Sequence, residues 1–323
     1  MEEQHMNDIK YSYMDHWEIH TATGLRSPGF RRNYLERYLK ELRALGYQGL
    51  DTFAVRLPFY GRLVAGKNGT PVDFENYLKD LGFERLVSMF LDFIGNNPAE
   101  RIADPACHDQ IFNKFRAACE MAKGTGIDTF IVMPACQYFY TDPVTEDHIK
   151  HTADFWNRTG KMMLEDYGIH AACHHEFWCG LRDKWAIDLF YELTDPKYVY
   201  YFCDTAQHVI AGVDPVALYE QLHDRTWGFH LKDTKNTDPK AYRIPPDAEC
   251  MAEGVERWFY EANGEGLCDF PALYRAIKKY NFSGWISSEH DKAEFEGKSY
   301  ADCTAQGVWY IKKVLDPILK EGE

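Results

Sequence analysis

The run Gly126-Ile127-Asp128-Thr129-Phe130-Ile131-Val132-Met133 decides the fold. A glycine turn opens it, and unbroken apolar residues rich in β-branched and aromatic side chains close it. That is the pattern of a strand buried on both faces. The same sequence of Gly turn, short apolar run, polar residue and amphipathic stretch recurs in both directions. Upstream it predicts strands over Ile9–Met14, Gly49–Phe53 and Phe83–Phe90. Downstream it predicts Gly168–Cys173, Tyr198–Cys203, Thr226–Leu231 and Gly284–Ser288. Eight strands at this spacing, separated by helical stretches, predict a parallel sheet.

The helices between them have their own signals. Leu35, Tyr38, Leu39, Leu42 and Leu45 recur at helical spacing before Gly46, as do Ile111, Phe112, Phe115, Cys119 and Ala122 before Gly124. Phe155, Trp156, Thr159, Met162 and Met163 mark a longer helix ending at Gly168. Asp214 before Pro215, and Asp269 shortly before Pro271, read as N-caps. There is no GxGxxG or phosphate-binding loop of the kind an open doubly wound sheet brings. The expectation is an α/β chain folded as a single (β/α)8 TIM barrel over residues 1–323. Long loops are expected over residues 56–80 and 234–263, on the face where barrels place their active sites.

Composition narrows the partners. Across 323 residues, 36 Lys and Arg stand against 50 Asp and Glu, a formal charge of −14. Such a surface repels phosphate backbones and anionic lipids, so neither nucleic acid nor membrane is an expected partner. The first ten residues are polar and contain no apolar signal core, which predicts a cytoplasmic protein. Nine cysteines, an odd number without a CxxC pair, read as reduced thiols.

The chemistry is expected at the strand ends. The fifth strand ends in His174-His175-Glu176, the sixth in Asp204 with His208 four residues on, the seventh in His230-Leu231-Lys232-Asp233, and the eighth in Glu289-His290-Asp291. Crowded carboxylates repel unless a cation neutralises them. Glu176, Asp204, His230 and Glu289 are therefore the expected ligands of a divalent metal ion, with oxygen donors suited to Mn²⁺, Mg²⁺ or Co²⁺ and Zn²⁺ also admissible. Three of them have a plainer reading: Asp204 as a helix cap, His230 as a core histidine, Glu289 as half of a surface ion pair. Lys232 shares a face with His230 by strand alternation. It suits a substrate oxygen or a salt bridge to Asp233 or Asp204. His174 and His208 are further candidates for holding substrate.

These stretches resemble the sugar phosphate isomerase/epimerase superfamily, the xylose isomerase-like barrels. The likeness rests on Gly46-Tyr47-Gln48-Gly49-Leu50-Asp51, Asp204-Thr205-Ala206-Gln207-His208, Phe229-His230-Leu231-Lys232-Asp233, Gly264-Glu265-Gly266 with Asp269-Phe270, and Gly284-Trp285-Ile286 to Glu289. It implies metal ligands at Asp204, His230 and Glu289, often Mn²⁺, and chemistry beside a sugar carbonyl. One departure stands out. Where the family commonly has Glu-Asn-His, this chain has Cys173-His174-His175. Either Glu176 or His175 then completes the ligand set; Glu176 is favoured as the harder donor, leaving His175 as base with Glu289 as second catalytic residue.

A double histidine in place of the first glutamate of the epimerases points to a lyase on a keto-sugar. Among the lyases the resemblance is to inosose dehydratase and to the C-glycoside deglycosidase α subunit, which acts on 3-keto-glycosides. A ketose epimerase or isomerase is the alternative. Tyr242, Trp258, Phe259 and Tyr260, in the expected loop over residues 234–263, would hold an aromatic aglycone or dock a second subunit, in a hetero- or homo-oligomer.

Overall fold

The computed structural model describes residues 8–15, 28–91, 96–97, 100–135, 144–177, 179–234, 260–261, 264–290, 294–295 and 298–321. Eight strands form one parallel sheet: β1 (Ile9–Met14), β2 (Gly49–Phe53), β3 (Arg85–Leu91), β4 (Thr129–Val132), β5 (His170–His174), β6 (Val199–Asp204), β7 (Thr226–Asp233) and β8 (Gly284–Ser288). Each pairs with the next, and β8 returns to pair with β1 in the register Tyr11 to Ile286. The sheet is therefore closed, a (β/α)8 barrel.

Strand alternation divides the core into two. Tyr13, Leu50, Met89, Phe130, Cys173, Cys203, Phe229 and Ile286 point outward and pack under the helices in the main core. Met14, Phe90, Ile131, Met133, Ala172 and Phe202 pack in a second cluster inside the barrel. The expected caps hold. Asp214 accepts from Val216 N at 2.9 Å at the head of Pro215–Leu222, and Asp269 accepts from Ala272 N at 2.9 Å at the head of Phe270–Lys279.

The segment over residues 56–80 is not the expected long loop. It forms two helices, Leu57–Ala65 and Pro71–Asp80. Thr70 and Asp73 build a capping box at the start of the second. The glycines that suggest a loop instead bring backbones together. A Cβ on Gly61 would lie 2.2 Å from Thr70 O, and one on Gly69 would lie 2.0 Å from Gly61 O. The expected loop over 234–263 lies largely outside the described residues, including Tyr242, Trp258 and Phe259. At its base Tyr260 and Glu261 pair antiparallel with Asp233 and Lys232.

That base carries a second fastening. The Asp233 carboxylate accepts from Thr234 N (2.8 Å), Gly266 N (3.0 Å) and Cys268 N (3.2 Å), and Leu267 N donates to Thr234 O at 2.9 Å. The His-Leu-Lys-Asp and Gly-Glu-Gly motifs are thus two halves of one clasp. Gly264 turns the chain at φ +79°, where a Cβ would strike the Tyr310 ring at 2.6 Å.

Candidate metal centre at the barrel mouth

Four consecutive strands deliver one donor each. Ala172 points inward on β5, so two residues on His174 does too; Phe202 likewise leads to Asp204 on β6. His230 lies on β7, and Glu289 directly follows β8. One ligand atom from each of His174, Asp204, His230 and Glu289 lies within 4.8 Å of the others. All four side chains are buried, none more than 5% exposed.

The contacts are dense. His174 Nε2 is 3.1 Å from Asp204 Oδ2, and His230 Nδ1 is 2.8 Å from Glu289 Oε2 and 3.7 Å from Asp204 Oδ2. Lys232 Nζ lies 3.2 Å from Asp204 Oδ2 and 2.8 Å from Glu289 Oε2. Asp204 does two jobs with two oxygens. Its Oδ1 caps the helix Thr205–Ile210 by accepting from Gln207 N at 2.9 Å, while Oδ2 faces the cluster. Cap and candidate ligand are not alternatives here. Phe90 stands edge-on to His174 with ring centroids 5.2 Å apart, and Phe202 edge-on to His230 at 4.7 Å, so both imidazoles are walled by aromatic rings.

Electrostatics follow from burial and crowding. Burial opposes charge on His174, but Glu176 and Asp204 outweigh it and lift the imidazole to about 10. Burial is likewise overcome at His230, which Glu289 and Asp204 raise. Against the cost of burial, Lys232 and the two imidazoles hold Asp204 far below the usual carboxylate range.

These residues fit a divalent cation. Although His230 Nδ1 lies close to two carboxylates, neither of its ring nitrogens makes an aligned hydrogen bond. Two imidazoles and two carboxylates meet at one point, joined by the His174 Nε2–Asp204 Oδ2 hydrogen bond at 3.1 Å but with both ring nitrogens of His230 unbonded, and form a donor set that zinc-type and cobalt-type ions accept.

Several expectations need correction. Glu176 is not among the four converging donors. It lies behind His174, with Oε1 3.2 Å from His174 Nδ1, while Oε2 is buried without a hydrogen-bond partner. His174, expected to hold substrate, takes the donor position instead. His175 faces away from the mouth. Its Nδ1 meets Leu181 O at 2.9 Å and its Nε2 meets Tyr191 OH at 3.0 Å, so both nitrogens are occupied in the layer between strand and helix. It is not placed to take a proton from a substrate at the mouth. His208 lies in that same outer layer, its Nε2 2.8 Å from Tyr201 OH and its ring 6.0 Å from that of His175. Burial drives the imidazole of His208 down to about 4. Strand parity was the missed signal: from Ala172, the inward positions are His174 and Glu176, never His175.

A closed parallel barrel with polar donors gathered at the C-terminal ends of its strands has the layout of a TIM-barrel enzyme. Residues 39–309 match the model of one such family, and the chain belongs to it: the xylose isomerase-like TIM barrels. The inosose dehydratase of Lacticaseibacillus casei is 29% identical over half of this chain, and the match spans 58% of that protein's length. The inosose dehydratase of Clostridium beijerinckii is 24% identical over 84% of this chain and 87% of its own. Among solved structures, the IolI protein with a bound zinc atom superposes with a TM-score of 0.67 over 97% of this chain and 98% of its own, at 17% identity, a likeness of fold. Among the described residues no helix is long and apolar enough to cross a membrane.

Proposed function

We propose that this chain is a metal-dependent lyase that removes a proton beside the carbonyl of a keto-sugar or inosose and expels the β-substituent. The observation that carries this reading is the pairing of a four-donor cluster with Glu176 Oε2, a buried carboxylate oxygen beside it that has no hydrogen-bond partner. His174, Asp204, His230 and Glu289 would hold the cation. Two imidazoles favour Zn²⁺ or Co²⁺; Mg²⁺ and Mn²⁺ are better served by oxygen-only sets. When bound, the cation supplies a Lewis acid at the substrate carbonyl.

The protein's own groups do the rest. Lys232 Nζ, fixed by Asp204 and Glu289, presents an ammonium to the oxygen on which negative charge develops. Glu176 Oε2 takes the α-proton. The C–H electron pair becomes the new C=C bond, and the C–O bond to the β-substituent breaks. Glu176 then gives the proton to the departing oxygen, so water or an alcohol leaves and the carboxylate is restored. Burial raises Glu176 against the pull of His174 and Lys232, toward the range where a carboxyl can carry a proton in both directions. Phe90 and Phe202 keep bulk water from the imidazoles.

Epimerisation is the second reading, because Glu289 offers another carboxylate at the mouth. It would need Glu289 to return the proton to the opposite face, although that group already faces His230 and Lys232. The similarity to inosose dehydratases supports the lyase. For a C-glycoside, the substrate variant that the sequence suggests, the C–C bond to the aromatic carbon breaks instead, and that carbon takes the proton from Glu176.

Incubation with an inosose, a 3-keto-C-glucoside and a ketohexose, read by mass spectrometry, tests this. Loss of water or aglycone is the expected result. A mass-neutral isomer from the ketohexose, with no release from the other two, would leave the epimerase reading standing.

A further inference from the structure

Below the mouth, inside the closed barrel, lies a carboxylate that the proposed chemistry does not use. Asp51, on β2, is 1% exposed. Its Oδ1 accepts from Ser88 Oγ on β3 at 2.5 Å, and its Oδ2 accepts from Ser287 Oγ on β8 at 2.7 Å. Ser12 of β1 faces the same interior, its buried hydroxyl without a hydrogen-bond partner. No Lys or Arg among the described residues is paired with it. A carboxylate buried among neutral hydroxyls carries a desolvation cost unless a cation nearby offsets it. A cation-forming side chain whose field acts on Asp51 is His230. The register explains why: Ser287, bonded to Asp51, is the direct strand partner of His230. His230 turns Nδ1 toward Glu289 and Asp204, and its buried Nε2 has no hydrogen-bond partner.

We propose that Asp51 is the lower anion of the metal centre, a positioning residue that strengthens cation binding through His230 without touching the cation. This rests on the reading that His174, Asp204, His230 and Glu289 hold a divalent ion. The serines set the carboxylate beneath the donor cluster, in a closed interior where charge is poorly screened. A divalent ion above it offsets the cost of burying it. Without the ion, Asp51 keeps its two serine hydrogen bonds but has less positive charge above it. Loss of its charge should therefore weaken metal binding more than it destabilises the metal-free chain, whereas a purely structural hydrogen-bonding role would affect both states alike.

The test uses the full chain, stripped by chelator and titrated with Zn²⁺ against a chromophoric competitor, and with Co²⁺ read by its visible absorption. Asp51→Asn keeps an acceptor and donors for the serines and removes the charge. The expected result is a ~10–100-fold loss of affinity, the usual effect of losing a group that supports a metal ligand. The metal-free melting temperature should change less than that of the metal-loaded chain. Ser287→Ala should give a smaller loss of affinity in the same direction, and it provides the reading if Asp51→Asn does not fold. Unchanged affinity in these variants overturns the inference and leaves the metal centre in place. So does a lower metal-free melting temperature with an unchanged metal-induced increment. A wild-type chain that takes up neither ion overturns the metal reading itself, and the inference with it.

Discussion

His174 and Glu176 stand two residues apart at the end of β5, with Nδ1 of one 3.2 Å from Oε1 of the other. The opposite nitrogen of His174 faces Asp204 at 3.1 Å. An imidazole between a carboxylate behind and a donor cluster in front is turned with Nδ1 toward Glu176 and Nε2 toward the cluster. The remaining oxygen of Glu176 stays buried beside the cluster. One residue thus orients a candidate ligand with one oxygen and offers the other for proton transfer.

Protein purified without chelator is expected to hold about one divalent ion per chain by elemental analysis. Glu289→Gln or His174→Ala should lower that content well below one, because each removes one of four donors. Full occupancy in both variants would show that the ion sits elsewhere.

Glu176 and His175 separate by kinetics. Glu176→Gln should retain metal and lose roughly two to four orders of magnitude in kcat, the usual worth of a general base. His175→Gln should keep turnover and instead lower the melting temperature, since the lost contacts are with Leu181 O and Tyr191 OH inside the outer core. The opposite pattern would return His175 to the base position.

His208 makes the fold acid-sensitive. Burial depresses its folded pKa to about 4, while an unfolded histidine titrates near ~6.5. Between those values the unfolded chain binds the proton and the folded chain does not, so stability falls as pH drops from ~6.5 to ~4 and levels off below. The loss is on the order of 3 kcal/mol. His208→Gln keeps a partner for Tyr201 OH and should flatten that part of a stability–pH curve measured by urea denaturation.

The clasp at β7 should open on its own. Asp233→Ala leaves three backbone N–H groups without their acceptor. The expected cost is about 2–4 kcal/mol, given the strength of hydrogen bonds to a charged group. Amide exchange should quicken at residues 264–268 and leave β1 to β3 unchanged. Equal exchange with wild type would assign the stability to Leu267 N and the Tyr260 pairing instead.

Much of this was legible in the sequence, and the failures are instructive. All eight strands sit within a few residues of their apolar runs, because their outward faces pack under the helices and much of the inner face is buried as well. Asp204, His230 and Glu289 could be singled out because each closes such a run. His174 was obscured by the three polar residues that follow Cys173: donor hardness pointed to Glu176, whereas side-chain parity fixes His174 inward and His175 outward. The helices over residues 57–65 and 71–80 contain or flank Gly61, Gly66 and Gly69. Gly61 and Gly69 are where the first helix meets the turn leading into the second, and sequence composition does not report a contact between backbones. Asp51 was legible only as the last residue of the Gly46–Asp51 motif, since its two serine partners come from other strands.

The pairing of Tyr260 and Glu261 with Asp233 and Lys232 brings the two ends of one long excursion side by side. Because closure cost rises only slowly with loop length, a chain tied at its base can vary in length with little effect on the barrel beneath. The base is therefore a graft point. A two-residue turn joining position 234 to position 260 should leave Lys232 aimed at Asp204 and Glu289, and other sequences could be installed there as exchangeable cassettes above an unchanged centre.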